Sequence, residues 1–144
     1  MEKTDMQLTG FMRRRAGVVL ATLAAATLAG TVPANAEGGW SSYISNWTYN
    51  SESRRWTDNH ADGNWTTVSF SGCYHNGSTD WFNRGGTAEI ELDRDISWSP
   101  DTSYGGRGNQ CSTVNWGERT DKGQYYFIFK GDFPLSVDSV YTAY

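Results

Sequence analysis

Residues 53–73 read S-R-R-W-T-D-N-H-A-D-G-N-W-T-T-V-S-F-S-G-C, and this stretch decides the fold class. Asp62-Gly63 is a hairpin-turn dipeptide, because glycine accepts a positive φ with no Cβ to clash. Beyond it the residues alternate, with Thr66, Val68 and Phe70 on one face and Trp65, Thr67 and Ser69 on the other. Period two with one apolar face marks a half-buried antiparallel strand. The stretch therefore predicts two strands joined by a polar turn and ending at Cys73. Cys111 is the only other cysteine, so in an oxidised chain the two pair and pin a remote segment to the hairpin.

Working outward, residues 87–94 alternate most clearly. Ala88, Ile90 and Leu92 face a core, while Thr87, Glu89, Glu91 and Asp93 meet water, with enough charge to discourage edge pairing. Residues 124–130 place Tyr125, Phe127 and Phe129 opposite Tyr126 and Ile128, so this strand is apolar on both sides and belongs at the centre of a sheet. Residues 111–116 and 137–144 are two further strands. Between 87–94 and Cys111, residues 95–110 hold Pro100 and three glycines and are expected to form the longest loop. Residues 74–86 are polar and turn-rich around the pair Trp81-Phe82. No stretch shows a helical period. These short strands, about six or seven of them, predict an all-β fold, a small antiparallel β-sandwich with one disulfide.

The N-terminal residues 1–36 have the pattern of a cleaved signal peptide. Arg13, Arg14 and Arg15 precede a small and apolar run, and Ala34-Asn35-Ala36 is a cleavage signal. The run is too short to span a bilayer comfortably, so secretion rather than membrane insertion is expected. Residues 37–50 then read as a flexible arm leading into a first strand, and residues 51–144 as the sandwich domain. The whole chain carries a formal charge of −4, and the leader takes its basic cluster with it. Scattered cations on an acidic protein argue against nucleic acid as a partner.

Constellations for chemistry are sparse. His60 and His75 are the two histidines, and neither has the neighbours of a zinc site. Asp58, His60, Asp62 and Gly63 imitate the start of a calcium loop, but a histidine stands where an oxygen belongs and Ser69 replaces the bidentate glutamate. Glu89, Glu91, Asp93 and Asp95 project in rows from one strand, which suits a solvated face better than the opposed walls of a glycosidase cleft. No catalysis, metal or cofactor is expected. Seven tryptophans and eight tyrosines, by contrast, exceed what a small core needs. Surplus aromatics among Asn, Ser and Gly are the composition of surfaces that stack sugars or anchor proteins. Two or three exposed aromatics are expected among Trp40, Trp47, Trp81 and Trp98, which lie outside patterned strands, with covering the core as the other reading for Trp40 and Trp47.

The motifs at residues 53–59 and 66–73, the second cysteine Cys111 and the ending V-D-S-V-Y-T-A-Y resemble small secreted actinobacterial proteins. Among these the chain is most similar to the adaptor subunits of umbrella toxin particles, exported antibacterial assemblies in which an adaptor joins a lectin-bearing subunit to a toxin-carrying one. The resemblance implies a connector without chemistry, whose partners are other secreted proteins. It makes residues 37–43 a candidate to enter a partner's groove. The candidate partner-binding residues are thus Glu37, Gly38, Gly39, Trp40, Tyr43, Trp47, Trp81 and Trp98. The alternatives are a carbohydrate-binding module, a small hydrolase with paired carboxylates, and a proteinase inhibitor presenting residues 97–108.

Overall fold

A computed structural model describes residues 38–144. The expected leader, residues 1–36, and Glu37 lie outside the described residues. Among the described residues the strands run in the order β1 (Gly39–Trp47), β2 (Trp56–Asp58), β3 (Trp65–His75), β4 (Ala88–Asp95), β5 (Thr102–Asn109), β6 (Thr113–Glu118), β7 (Gly123–Phe129) and β8 (Leu135–Ala143). A single helical turn, α1 (Asp80–Asn83), follows β3. Two antiparallel four-stranded sheets result, with strand orders β1-β8-β3-β6 and β2-β7-β4-β5. The expected sandwich class is what the chain adopts.

The core lies between the sheets and is aromatic. Phe127, in β7 at the middle of one sheet, stacks on Trp40 of β1 at 6.2 Å with the ring planes 1° apart. It also meets Trp47 at 5.7 Å and Phe70 of β3 at 6.2 Å. The two-sided apolar pattern of β7 follows from its position between β2 and β4, with Tyr125 to Phe129 all buried. On β4 the inward face is as expected, since Ala88, Ile90 and Leu92 are fully buried, but Asp93, expected to meet water, is buried as well.

Several expectations are corrected. The stretch 53–73 is not a hairpin. Its first strand, β2, pairs with β7, while its second, β3, pairs with β6 and β8 in the other sheet. Asp62-Gly63 therefore sits in a crossing between sheets, and the positive φ belongs to His60 rather than to Gly63. The expected arm is strand over Gly39 to Tyr43, because β1 pairs with β8 from Gly39↔Ala143 onward, so the sandwich begins there and not at residue 51. The expected loop over 95–110 contains β5, which pairs with β4 despite Gly105, Gly106 and Gly108. A Cβ at Gly106 would lie 2.1 Å from Oε1 of Glu89, so the missing side chain is what lets the neighbouring strand's glutamate lie over β5. Finally, β4 is internal, so its charges guard no edge.

The sheets are fastened together at one long side. Cys73 of β3 is bonded to Cys111 in the short β5–β6 connection, with Cα atoms 5.7 Å apart and a sequence separation of 38. Beside it, fully buried Asn109 donates to the Val68 carbonyl at 3.3 Å and accepts from the Ser112 amide at 2.8 Å. Trp116 Nε1 donates to the Gly105 carbonyl at 2.8 Å, joining β6 to β5. A parity change accompanies the bond: Phe70 and Cys73 are both buried, and on β8 so are Val140 and Val137. The two strands shift together at Gly72, whose φ is +67° and whose added Cβ would lie 2.3 Å from Oδ2 of Asp138.

Two stability predictions follow from this side of the fold. Replacing both cysteines with alanine should cost about 4 kcal/mol of unfolding free energy by the chain-entropy relation for a loop of this length, measured as a lowered urea midpoint. Gly72→Ala should cost about 1–3 kcal/mol through backbone strain, and more where Asp138 fails to move, while leaving the oxidised disulfide intact by thiol titration.

Candidate partner-binding surface

The opposite long side of the sandwich is open. Here β1 ends one sheet, and β2 with the segment leading to it ends the other. Backbone bonds from Asn50 and Ser53 to Phe129 and Phe127 extend the β2 side along nearly the whole of β7. Between these two edges lies a pocket of about 80 Å³, with Trp40, Ile44, Trp47, Phe127 and Val140 as its apolar lining and Ser53 and Arg54 at its polar side. Ser53 is buried and ties the pocket wall together, because its hydroxyl accepts from the Phe127 amide at 2.9 Å and donates to the Arg54 carbonyl at 2.8 Å. The Arg54 guanidinium lies over the Trp40 ring at 5.2 Å.

The structure brings Gly39, Trp40, Tyr43 and Trp47 of the candidate set together on β1 and around this pocket. Gly38 continues the same edge by exchanging two backbone bonds with Tyr144. Trp40 is not an exposed anchor: it is 8% exposed and belongs to the core. Trp47 packs against that core and is half-buried. Tyr43 is the exposed member, at 71%.

Trp81 and Trp98 lie elsewhere. Trp81, on α1, is exposed but held. Its indole N–H donates to the Thr87 carbonyl at 3.1 Å, His75 stacks on it at 5.1 Å, and a Cβ at Gly86 would lie 2.3 Å from its ring. It borders a wide, open cleft with His75, Asp80 and Arg84. Trp98 stands fully exposed between β4 and β5 with φ at +67°, a conformation that a bulky residue adopts only at a cost of about 1–2 kcal/mol. Because β5 begins at Thr102, the inhibitor loop expected over 97–108 reduces to the tight turn that carries Trp98.

The two outer faces differ in charge. Strands β1, β8, β3 and β6 carry only Asp138 and Glu118 as formal charges, and their outer face presents Ser41, Tyr43, Tyr141, Ser69 and Thr113. Across it Ser69 and Thr113 share a hydrogen bond at 2.7 Å. Trp65 and Tyr141, which the sequence reading left among ordinary strand residues, are 61% and 49% exposed. Their signal was present in the alternation, since Trp65 falls on the outward face.

The outer face of the other sheet is ionic. Arg55 bonds Asp95 at 2.5 Å, reaches Glu52 at 3.3 Å and lies over the Tyr126 ring at 4.3 Å. A hydrogen bond from the Tyr126 hydroxyl, followed by one from the Ile96 amide, holds the Asp101 carboxyl below its usual range. Burial, followed by the charge of Glu91, pushes Asp93 up against the opposing pull of Ser103 and Lys130. Neither cleft described above is lined by Glu89, Glu91, Asp93 or Asp95. In the crossing between sheets, carboxylates of the calcium-like pattern are turned onto their own loop: Asp58 accepts from the His60 amide at 2.8 Å and Asp62 from the Asn64 amide at 2.9 Å. Among the described residues no cluster of His, Cys, Asp and Glu is grouped to hold a metal ion.

The chain matches no protein-family model, no curated protein and no solved structure. The surface must therefore be read from its own chemistry.

The raised carboxyl of Asp93 gives a pH test with a definite sign. Below the unfolded carboxylate value, about 3.9, Asp93 is neutral in both states and costs nothing. As pH rises the unfolded chain ionises first and stability falls, until pH passes the folded value and the penalty becomes constant. The stability gain from Asp93→Asn should therefore be absent near pH 3 and grow towards pH 7, read as the difference in urea midpoints.

Proposed function

We propose that this protein is a non-catalytic, secreted module that binds other proteins, a connector of the kind that its resemblance to toxin-particle adaptors implies. The observation that carries the reading is the open side of the sandwich. An edge strand of nine residues without a single charge or proline stands beside an apolar pocket, where edges are ordinarily blunted by such residues. The nearly neutral face next to it, bearing Tyr43, Tyr141 and Ser41, has the amphipathic aromatic and hydroxyl composition of protein-recognition surfaces.

Binding of carbohydrate is the second reading, favoured by the rings of Trp65 and Trp98, which stand out from the surface. Their separate places in the fold, one opening β3 and one between β4 and β5, supply single rings rather than a platform.

Affinity purification of the tagged protein from its native culture supernatant, with mass spectrometry of the retained proteins, tests the proposal. Secreted partners should be retained by the wild type and reduced about tenfold or more by Tyr43→Arg, which sets a charge on an exposed residue bordering the pocket. A clean monomer, combined with retention on insoluble polysaccharide that is lost in Trp65→Ala or Trp98→Ala, would replace the proposal with the second reading.

A further inference from the structure

Resting on the protein-binding reading, the pocket and the hydrogen-bond phase of β1 specify what kind of partner segment docks there. Gly38 and Tyr144 exchange two backbone bonds, at 3.2 and 3.1 Å. In an antiparallel ladder such reciprocal pairs recur at every second residue. The register is unbroken from Gly39↔Ala143 to Ser42↔Val140, so Trp40 and Ser42 turn their backbone groups to β8. Gly39 and Ser41 turn theirs away from the sheet, on a side where no described strand pairs with β1. These are free donors and acceptors in a straight, exposed run, the template for an added strand.

Side chains next to that edge set the rest of the specification. Trp40, Ser42, Tyr43, Ile44 and Trp47 line the pocket from β1, so side chains on the inward face of an added strand, every second residue, fall at the pocket mouth. Small at about 80 Å³ and apolar in its lining, the pocket suits a single aliphatic side chain. The Trp40 indole in the pocket wall carries a buried N–H without an acceptor. Arg54 at the rim makes no ion pair among the described residues, while its neighbour Arg55 is engaged by Asp95 and Glu52. A cation held over an indole beside an apolar hole asks for a carboxylate next to the aliphatic residue.

We infer that β1 receives an extended peptide strand from a partner protein, with Val, Ile or Leu seated in the pocket and an Asp or Glu two residues away paired with Arg54. A second copy of β1 fits less well, because Gly39–Trp47 contains no carboxylate to offer Arg54.

The test is selection of random linear peptides displayed on phage against the purified protein. Enriched binders should carry an acidic residue two positions from Val, Ile or Leu, and Arg54→Glu should shift the enriched charge from acidic to basic. Ser41→Pro removes one edge-facing N–H and no bond to β8, so it should weaken a selected peptide about tenfold or more, whereas Ser41→Ala should bind like the wild type. If Ser41→Pro fails to fold by circular dichroism, amide exchange of the wild type gives the same answer: the Ser41 N–H should become protected when the selected peptide is added.

The inference is overturned by an absence of enriched binders, by binders indifferent to Ser41→Pro with Ser41 unprotected, or by a symmetric dimer that Ser41→Pro dissolves. Native partners retained equally by wild type and Ser41→Pro would remove the edge inference and leave the protein-binding reading standing. Retention of no partner by either would remove that reading itself.

Discussion

The contact on which the sandwich depends is the stack of Trp40 on Phe127. Phe127 lies at the centre of one sheet, and Trp40 comes from the edge strand of the other, so a single ring pair decides where β1 sits over β7. Phe70 and Trp47 close around the same ring, and Trp56 joins through Trp40 at 6.0 Å. Large rings supply much buried apolar area from few residues, which matters in a small domain whose surface-to-volume ratio is unfavourable. The requirement for that area explains why Trp40, though on an edge strand, is buried in the core.

The two long sides of the sandwich solve the edge problem differently. At β5 and β6 the sheets are joined by the disulfide, by buried Asn109 and by the bond from Trp116 to Gly105. On the β1 and β2 side, Trp40 meets Trp56 and Arg54 lies over the Trp40 ring, and the apolar interior reaches the surface as a pocket. Cross-linking one side lets the other stay open without the sheets separating. The bulge on β8 between Val140 and Val137 limits the regular part of the β1 edge to its first residues, which restrains indiscriminate pairing while leaving a short template.

Charge is segregated in the same spirit. The sheet ending in β2 carries the ionic network of Glu52, Arg55, Asp95 and Asp101 on its outer face, where the Arg55 guanidinium covers Tyr126. The other sheet's face is nearly neutral. An acidic protein with one neutral face directs encounter towards that face by leaving it the least repelled by other acidic surfaces.

Sequence alone determined the class of fold, the inward faces of β3 and β4, the central place of β7 and the pairing of the cysteines. In each case the signal is local: period two reports which face is buried, and two cysteines leave one possible bond. What only the tertiary structure decided is partnership. The segments 53–58 and 65–73 look like a hairpin because turn chemistry is legible, yet their ladders run to β7 and to β8 and β6, since pairing is set by which apolar faces must meet across the core. β5 was illegible because its glycines leave no side-chain pattern, and it is strand only through the backbone of β4. The open edge at β1, the pocket beside it and the freedom of Arg54 belong to no stretch of sequence, because each arises where the rims of two sheets, distant along the chain, come to lie side by side.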